Sequence, residues 1–387
     1  MVLAILTTDS RELLKDYGNE QPRFGTAPTA LLQGLAAIPE IQVHLVTCAR
    51  EKMQSPDRLA GNIFFHSLLV PKIGWMSTFY QGCVRAVRNK LDELQPDIVH
   101  GQGTEQECAI CAIQSGRPNV ITLHGIMSEM VRVTRAKVGS FYWLSSMLER
   151  FALRHCAGVF CNSRFTEGLV RPRCRKTWLV PNPVRTEFFT RPLTGLKKPL
   201  PTLLNVGSIC AYKRQNELID LAESLHAEGL QFNVHFVGQA SRASAYGARF
   251  LDRVRNNPRL AYLGLRLDDD LIAAYDSASA LVHVSAVETF GVVVAEALAR
   301  NLKFFGLRNG GIVDVAETVD QAELFNEGDW DGLKRGLKNW MNSGFARPTL
   351  AATTMKERYE PLLVARRHWE IYREVLERKD VGKIRRP

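Results

Sequence analysis

The stretch from Ala280 to Arg300 constrains the fold of this chain more than any other. Residues 281–284 read Leu-Val-His-Val, a short apolar run with β-branched side chains that predicts a buried strand. A turn of small residues follows, and residues 292–300 are mostly good helix formers. A strand, a loop and a helix in this order place the loop at the carboxyl edge of a sheet, where open α/β sheets bind ligands.

The same alternation of strands and helices fills the rest of the chain and predicts an α/β protein with two Rossmann-like, doubly wound domains. A polar connector with prolines and lysines, from Arg191 to Pro201, separates two such series. We predict a first domain over residues 1–195, with a C-terminal helix over residues 365–387 that returns to it, and a second domain over residues 196–364. Two such domains would face each other across a cleft. Strands are expected near residues 2–6, 43–47, 97–100, 120–123 and 159–161, then 203–207, 232–238, 260–264, 281–284 and 303–306.

Composition favours a folded protein of the cytoplasm. The chain has 387 residues and is 45% hydrophobic, enough for two cores, and no apolar run approaches the roughly 18–20 residues that span a bilayer. The apolar start, Met1 to Thr8, lacks a basic leader and is interpreted as a strand, not a signal peptide. The eight cysteines form no regular framework, so we expect them to be reduced. Cys108 and Cys111 have no second pair, which argues against a metal site.

The net charge of +10 is uneven along the chain. Residues 1–195 hold 23 Lys/Arg and 16 Asp/Glu, a balance of +7, and the excess is greatest between Arg132 and Lys176. This pattern predicts an anionic partner: a membrane surface, a lipid-linked acceptor or an acidic polymer. Peripheral attachment to the inner face of a membrane is one hypothesis, and a solvated basic surface is the alternative. Basic and aromatic residues do not interleave, so no nucleic acid partner is expected.

Two acids mark the opening stretch, Glu288 before the turn and Glu296 inside the helix. The first amides of that helix, near Gly291, Val292 and Val293, carry the positive end of the helix dipole and suit a phosphate. Carboxylates accept hydrogen bonds from sugar hydroxyls. The combination predicts a site for a sugar joined to a diphosphate. Taken alone, however, the two acids also fit a solvated loop acid and an ordinary helix acid.

The whole pattern, an acid, Phe290-Gly291, and a second acid eight residues after the first, resembles the signature of retaining glycosyltransferases of family 4. That family has the GT-B fold, in which two Rossmann-like domains face each other. The resemblance implies that Glu288 and the amides of Phe290, Gly291 and Val292 hold the donor sugar. It also implies that Glu296 holds the ribose hydroxyls.

The loop after the first strand of the second domain resembles the family's loop in part. In the family a glycine and an arginine are followed, five residues after the arginine, by a lysine. Here Gly207 and Lys213 match, but Ser208 stands at the arginine position, and Arg214 is the candidate that compensates for the missing cation. The resemblance implies that Lys213 neutralises the departing diphosphate. Without the resemblance, Lys213 reads as a solvent-facing lysine ahead of a helix.

Two candidates lie in the first domain. His124, between Leu123 and Gly125, matches a histidine that the family places against the donor sugar near the reacting carbon. The alternative is a buried, hydrogen-bonded histidine. Gly25 matches a glycine loop that approaches the donor phosphate or the acceptor, although Phe24 replaces a second glycine of that loop.

The hypothesis is therefore a retaining transfer of a sugar from a UDP- or GDP-sugar to a hydroxyl of a saccharide or lipid-linked acceptor, as in polysaccharide, lipopolysaccharide or glycolipid synthesis. The catalytic residues would be His124, Glu288 and Lys213. Asp268-Asp269-Asp270 is contiguous and is interpreted as a helix cap, so we expect activity with no cofactor and no divalent metal. The alternatives are a nucleotide-sugar epimerase of the same fold and a non-catalytic subunit that binds nucleotide-sugar or membrane.

Overall fold

The computed structural model describes residues 1–71, 75–194 and 200–384, with side chains up to residue 377. Contacts divide the chain into two compact units. Unit 1 comprises Met1–Thr186 together with the chain from Tyr359 onwards, and unit 2 comprises Glu187–Arg358. The boundary expected between residues 195 and 196 lies outside the described residues.

Unit 1 is built on a parallel sheet with one antiparallel edge strand. The spatial order is β3-β4-β2-β1-β5-β6-β7-β8, and only the pairing of β3 with β4 is antiparallel among the described strands. The strands are β1 (Val2–Leu6), β2 (Gln42–Ala49), β3 (Arg58–Ala60), β4 (Ile63–Leu69), β5 (Ile98–Gln102), β6 (Asn119–Leu123), β7 (Val159–Cys161) and β8 (Thr177–Leu179).

Helices cover both faces of this sheet. Successive strand residues point to opposite faces, so each strand packs against helices on both sides. In β1, Leu3 and Ile5 pack in one apolar cluster, whereas Ala4 and Leu6 pack in another on the other side. The helices before the connector are α1 (Ser10–Leu14), α2 (Thr26–Ala36), α3 (Gln81–Leu94), α4 (Glu107–Ile113), α5 (Met127–Thr134), α6 (Phe141–His155) and α7 (Arg164–Val170).

The C-terminal helix (Pro361–Ile384) returns to unit 1, as predicted. Its buried residues Val364, Ala365 and Tyr372 join the same apolar cluster as Leu35 of α2. A Cβ at Gly34 would overlap the backbone of this helix, so the two helices meet at a separation that only glycine permits there.

Unit 2 is built on a fully parallel sheet of six strands in the order β11-β10-β9-β12-β13-β14. They are β9 (Thr202–Val206), β10 (Asn233–Val237), β11 (Leu260–Tyr262), β12 (Ala280–His283), β13 (Lys303–Leu307) and β14 (Ala322–Phe325). The helices are α8 (Glu187–Thr190), α9 (Gln215–Ala227), α10 (Ala245–Arg255), α11 (Asp268–Asp276), α12 (Val292–Ala299), α13 (Ile312–Ala316), α14 (Trp330–Asn342) and α15 (Ala351–Tyr359).

This architecture confirms the predicted fold class of two Rossmann-like units, and each predicted strand is present with ends shifted by at most two residues. The interpretation of the three aspartates as a cap was wrong. Leu267 occupies the N-cap of α11, and Asp268 to Asp270 form its first turn, where carboxylates favour the positive end of the helix dipole. Within the described chain, no helix is both long and apolar enough to cross a bilayer.

Candidate functional site

The turn between β12 and α12 holds most of the predicted donor residues. Gly291 precedes α12 with a φ of 89°, a left-handed conformation that favours glycine. It offers no side-chain cap to the first-turn amides of the helix. Val292 and Val293, the first two helical residues, are partly exposed, whereas Gly291 itself is buried. Phe290 is buried at 1% exposure, so its side chain is not available for ligand contact.

A second glycine loop, after β13, fixes this turn in place. The amide of Gly311 donates a hydrogen bond of 2.9 Å to the carbonyl oxygen of Glu288. A Cβ at Gly310 would overlap the same oxygen, and one at Gly311 would overlap the carbonyl oxygen of Thr289. The two glycines therefore allow the β13 loop to lie directly against the backbone that carries Glu288.

Lys213 and Glu288, 75 residues apart in the chain, form an ion pair at the carboxyl edge of the sheet. Lys213 Nζ lies 2.5 Å from Glu288 Oε2, and the side chains are 16% and 17% exposed. Burial alone would raise the pKa of Glu288, but the Lys213 ammonium and a hydrogen bond from His283 outweigh it and hold the pKa at about 2. Glu288 is therefore ionised at neutral pH and balanced by Lys213.

His283 is a site residue that the sequence analysis did not single out. It ends β12 in the buried sheet, and its Nε2 lies 3.1 Å from Glu288 Oε2. Burial lowers its pKa, so at neutral pH the uncharged ring donates through Nε2. Its Nδ1 is buried and has no hydrogen-bond partner in the described structure. In the sequence, the indication was that His283 is a polar side chain inside a predicted apolar strand.

Glu296 is the fifth residue of α12, which follows the turn, and it is buried at 1% exposure. The hydroxyl of Tyr275 donates to its Oε2 at 3.1 Å and also lies 3.2 Å from the carbonyl oxygen of Val293. The carboxylate is thus oriented from within unit 2. Its role as the ribose acceptor stays a prediction.

Ser208 and Arg214 differ from Lys213 in their surroundings. Ser208 is exposed after the Gly207 turn, where the family has its second cation. The guanidinium of Arg214 binds Glu327 at 2.7 Å instead of approaching Glu288. Asn309 donates to the other oxygen of Glu327 at 2.9 Å, which ties Arg214 to the edge of the same loop cluster. No contact in the described structure supports the prediction that Arg214 compensates for the cation missing at Ser208.

His124 lies in unit 1, on the loop after β6, and is half-buried. Its Nε2 is 2.8 Å from Oε1 of Gln102, at the end of the neighbouring strand β5. Burial lowers the pKa of His124 to about 4, so the ring is uncharged at neutral pH. Because Gln102 Oε1 can only accept, Nε2 carries the one proton of the uncharged ring, and Nδ1 is an acceptor.

Glu105 is a second residue that sequence reasoning missed. Its Oε1 accepts the amide of Gly125, next to His124, at 2.8 Å, and its Oε2 lies where a Cβ at Gly103 would stand. Burial raises its pKa to about 7, although backbone hydrogen bonds oppose this. A carboxyl group that titrates near neutrality beside a predicted site residue is a candidate for proton handling. In the sequence, the indication was an acidic residue close to glycines at the ends of predicted strands.

Gly25 is the N-cap of α2 and is exposed. Its φ of −58° is open to other residues, and a Cβ there would meet Pro28 only at ordinary contact distance, 3.6 Å. The fold of unit 1 therefore does not require glycine at this position. A ligand that approaches the backbone closely would, which keeps the prediction for Gly25 a hypothesis.

Among the described side chains, no group of three or more His, Cys, Asp or Glu is placed to hold a metal ion. All eight cysteines are free, and Cys108 and Cys111 are buried in α4.

Comparison with known families agrees with the two-unit architecture. The model of "Glycosyltransferase Family 4" matches residues 28–188, and the model of "Glycosyl transferases group 1" matches residues 188–357. The two matches meet near the end of unit 1 and include every site residue above except Gly25. This chain belongs to the glycosyltransferases with the GT-B fold.

Among curated relatives of this glycosyltransferase, sulfoquinovosyl transferase SQD2 of Arabidopsis thaliana is 26% identical over 165 residues. The match covers 41% of this chain and 31% of the relative. The chain thus aligns with about a third of the length of that curated protein.

Solved structures extend the likeness in fold to nearly the whole chain. Sucrose-phosphate synthase from Thermosynechococcus elongatus superimposes with a TM-score of 0.79 at 17% identity, covering 97% of this chain and 99% of that one. HepE of Anabaena, in complex with UDP-glucose, gives 0.72 at 16% identity, with 97% and 100% covered. WaaG, a glycosyltransferase of lipopolysaccharide biosynthesis, gives 0.69 at 15%, with 96% and 99% covered.

Proposed function

We propose that this chain is a retaining, family 4 enzyme that transfers a sugar from a nucleotide diphosphate sugar to a hydroxyl acceptor. The observation that carries the proposal is the ion pair of Lys213 with Glu288, 2.5 Å long, beside the uncapped amino end of α12. A cation and a helix N-terminus suit a diphosphate, and an ionised carboxylate suits sugar hydroxyls. These neighbouring groups of unit 2 thus suit both the diphosphate and the sugar of such a donor.

In the proposed reaction, the bond from the sugar's anomeric carbon to the diphosphate breaks and a bond to the acceptor oxygen forms on the same face. The acceptor's proton passes to the departing phosphate oxygen, so no enzyme carboxylate serves as nucleophile. Lys213 and the amino end of α12 stabilise the charge that develops on the diphosphate. Glu288, oriented by His283, holds the sugar, and Glu296 holds the ribose.

For His124 we propose a hydrogen bond to the sugar near the reacting carbon. Its lowered pKa supports this role, because an uncharged ring binds a hydroxyl without repelling the positive charge that develops on the sugar. Lys213 and the helix end supply positive charge to the diphosphate, so we propose that turnover needs no divalent metal. Activity that persists after chelation supports this, and a strict Mn²⁺ requirement contradicts it.

For the donor we propose a UDP- or GDP-sugar, which the UDP-glucose complex of HepE supports by analogy of fold. For the acceptor we propose a saccharide or a lipid-linked sugar in polysaccharide, lipopolysaccharide or glycolipid synthesis. WaaG and the sulfoquinovosyl transferase SQD2 support that setting through their names. We place the protein in the cytoplasm, attached peripherally to the inner face of a membrane.

The test begins with a screen of UDP, GDP and ADP and their sugars by thermal shift, because a true donor raises the unfolding temperature by mass action. With the donor found, product formation and anomeric configuration are followed by NMR for wild type and Glu288→Gln. We expect a retained configuration and a loss of most turnover in the variant. The matched control is Asp252→Asn, which changes an exposed acid of α10 and should leave turnover intact.

The alternatives predict different results in the same assays. An epimerase releases epimer or free sugar from the donor with no acceptor present. A non-catalytic subunit binds the nucleotide-sugar and retains its biological output in the Glu288→Gln variant. The second alternative draws on Ser208 and on the Arg214–Glu327 pair, which leave Lys213 as the one cation that contacts Glu288 in the described structure.

A further inference from the structure

One surface of unit 1 exposes cations and apolar side chains together, and Glu129, which adjoins it, is paired with Arg132 at 2.7 Å. Residues 130–166 contain six Lys/Arg and a single acid, Glu149, which is 1% exposed. Within the described part of the chain, four of these cations make no ion pair. They are Arg135, Lys137, Arg150 and Arg154.

Large apolar side chains stand exposed in the same segment. Val138 is 80% exposed and Phe141 48%, at the turn into α6. Met147 and Phe151 follow on α6 itself, one helical turn apart, at 45% and 38%. With a rotation of about 100° per residue, Met147, Phe151, Arg150 and Arg154 fall within about 100° of arc on one outward face of α6. The opposite face, with Leu148, Ala152 and Leu153, is buried.

This outward face of α6 leads into a cavity of about 420 Å³. His155, the last residue of α6, stacks on Phe151 with ring centroids 4.1 Å apart and lines the cavity. Arg117, Arg175 and Lys176 line it as well, around the indole of Trp178.

The cavity lies at the amino edge of the sheet, where β6 and β8 begin, whereas His124 follows the carboxyl end of β6. No carboxylate lines it among the described residues. Two acids contact its lining residues from outside: Asp92 pairs with Arg117 at 3.3 Å, and Glu374 accepts the indole N–H of Trp178 at 3.1 Å.

We propose that the outward face of α6 and the adjoining cavity form a docking surface for an anionic phospholipid bilayer. Met147 and Phe151 enter the headgroup region, Arg150 and Arg154 lie against anionic headgroups, and the cavity receives one headgroup phosphate. Apolar contact and basic charge are the two signals that together give stable attachment. This inference deepens the proposed peripheral attachment by naming the surface, and it does not depend on the chemistry in unit 2.

Charge complementarity favours a bilayer over a second copy of the chain. A second copy carries the same net charge of +10, and residues 1–195 carry +7 of it, so two such surfaces repel. Exposed aromatic and aliphatic side chains between cations match an interface that is charged outside and apolar beneath. A soluble polyanion satisfies the cations but leaves Met147 and Phe151 without an apolar environment.

The test is co-sedimentation of the full-length chain with phosphatidylcholine vesicles, with and without phosphatidylglycerol, at low and high salt. We expect binding only with phosphatidylglycerol, weakened by salt. Arg150→Gln with Arg154→Gln should lower the partition coefficient roughly tenfold or more, since each cation near an anionic surface contributes severalfold. Met147→Gln with Phe151→Gln should lower it also. The matched control is Arg249→Gln with Arg255→Gln, two exposed cations of α10, which should leave it within about twofold.

Several outcomes would overturn the inference. Equal binding to both kinds of vesicle contradicts it, as do α6 variants that bind like the α10 control. Binding of soluble polyglutamate without vesicle binding assigns the surface to a polyanion instead. The unfolding temperature of each variant checks that it folds. Donor-induced thermal shift, measured on the same samples, keeps a failure of docking distinct from a failure of the proposed function.

Discussion

Lys213 and Glu288 should stabilise each other in the ligand-free protein, and a double-mutant cycle measures by how much. The variants are Lys213→Met, Glu288→Gln and the double substitution. The pKa of Glu288 is held at about 2 against an ordinary value of 4.5. A difference of one in pKa corresponds to about 1.36 kcal/mol, so the difference of 2.5 gives about 3 kcal/mol in favour of the ionised form at neutral pH. His283 supplies part of this and burial opposes it, so the coupling to Lys213 should be at least about 2 kcal/mol.

The direction with pH follows from the lowered pKa. The stabilisation is fully present above pH 4.5 and is lost as the pH falls towards about 2, because the unfolded carboxyl then binds a proton that the folded one does not. Lys213→Met should be the more destabilising single change, since it leaves a largely buried carboxylate without its cation. The double variant should therefore be more stable than the sum of the single changes implies.

Urea unfolding, followed by circular dichroism and by tryptophan fluorescence, gives the free energies of unfolding, with separate transitions for the two units resolved where they occur. The control cycle uses Arg242 and Asp252, a pair 3.0 Å apart whose side chains are 57% and 58% exposed. Its coupling should be at most about 0.5 kcal/mol. Free energies at Lys213 and Glu288 that add within about 0.5 kcal/mol would refute the reasoning.

Three further predictions concern loops of unit 2 and of unit 1. Gly311→Ala should destabilise unit 2 by about 1–3 kcal/mol and reduce turnover, because the added Cβ would overlap the Thr289 carbonyl oxygen. The control is Gly168→Ala on a helix, where a Cβ would meet open space. This change should be neutral or slightly stabilising. The unfolding temperature should fall between pH 6.5 and about 4 in part because unfolded His124 binds a proton that the folded ring, with a pKa of about 4, does not; His124→Gln should flatten this slope. Glu105, with a folded pKa of about 7, contributes the opposite slope between pH 4.5 and 7, which Glu105→Gln should remove; unchanged pH profiles would contradict both assignments.

The sequence predicts the fold well because its strands are short apolar runs separated by turns. β1 and β7 have the predicted bounds, and β12 begins and ends one residue early. The strands that were not predicted are β3, β4, β8 and β14. β3 and β8 have three residues each, β3 and β14 are at sheet edges with no fully buried residue, and β4 alternates buried and partly exposed residues. Such strands depend on their neighbours more than on a local pattern.

The site was predictable to the level of loops, and less so to the level of contacts. Parallel topology places the loops after β9, β12 and β13 at one edge, which was enough to group Lys213 with Glu288. Which atoms meet depends on side-chain packing: His283 reaches Glu288 only because β12 ends beside the turn, and Arg214 turns to Glu327, 113 residues away in the chain. The burial that shifts the pKa of Glu105 likewise arises from the fold, not from its neighbours in sequence.

The central claim is that Lys213 and the amino end of α12 bind a diphosphate, and equilibrium titration of the wild type with UDP and GDP tests it most directly. Lys334→Met is the matched control, since Lys334 also forms an ion pair in unit 2, 2.6 Å from Glu228, but on α14. We expect one diphosphate to bind to the wild type. Lys213→Met should weaken that binding roughly tenfold or more, because one charge-assisted hydrogen bond is lost. The affinity of Lys334→Met should stay within about twofold of the wild type. Equal affinity of the wild type and Lys213→Met for the diphosphate would contradict the claim.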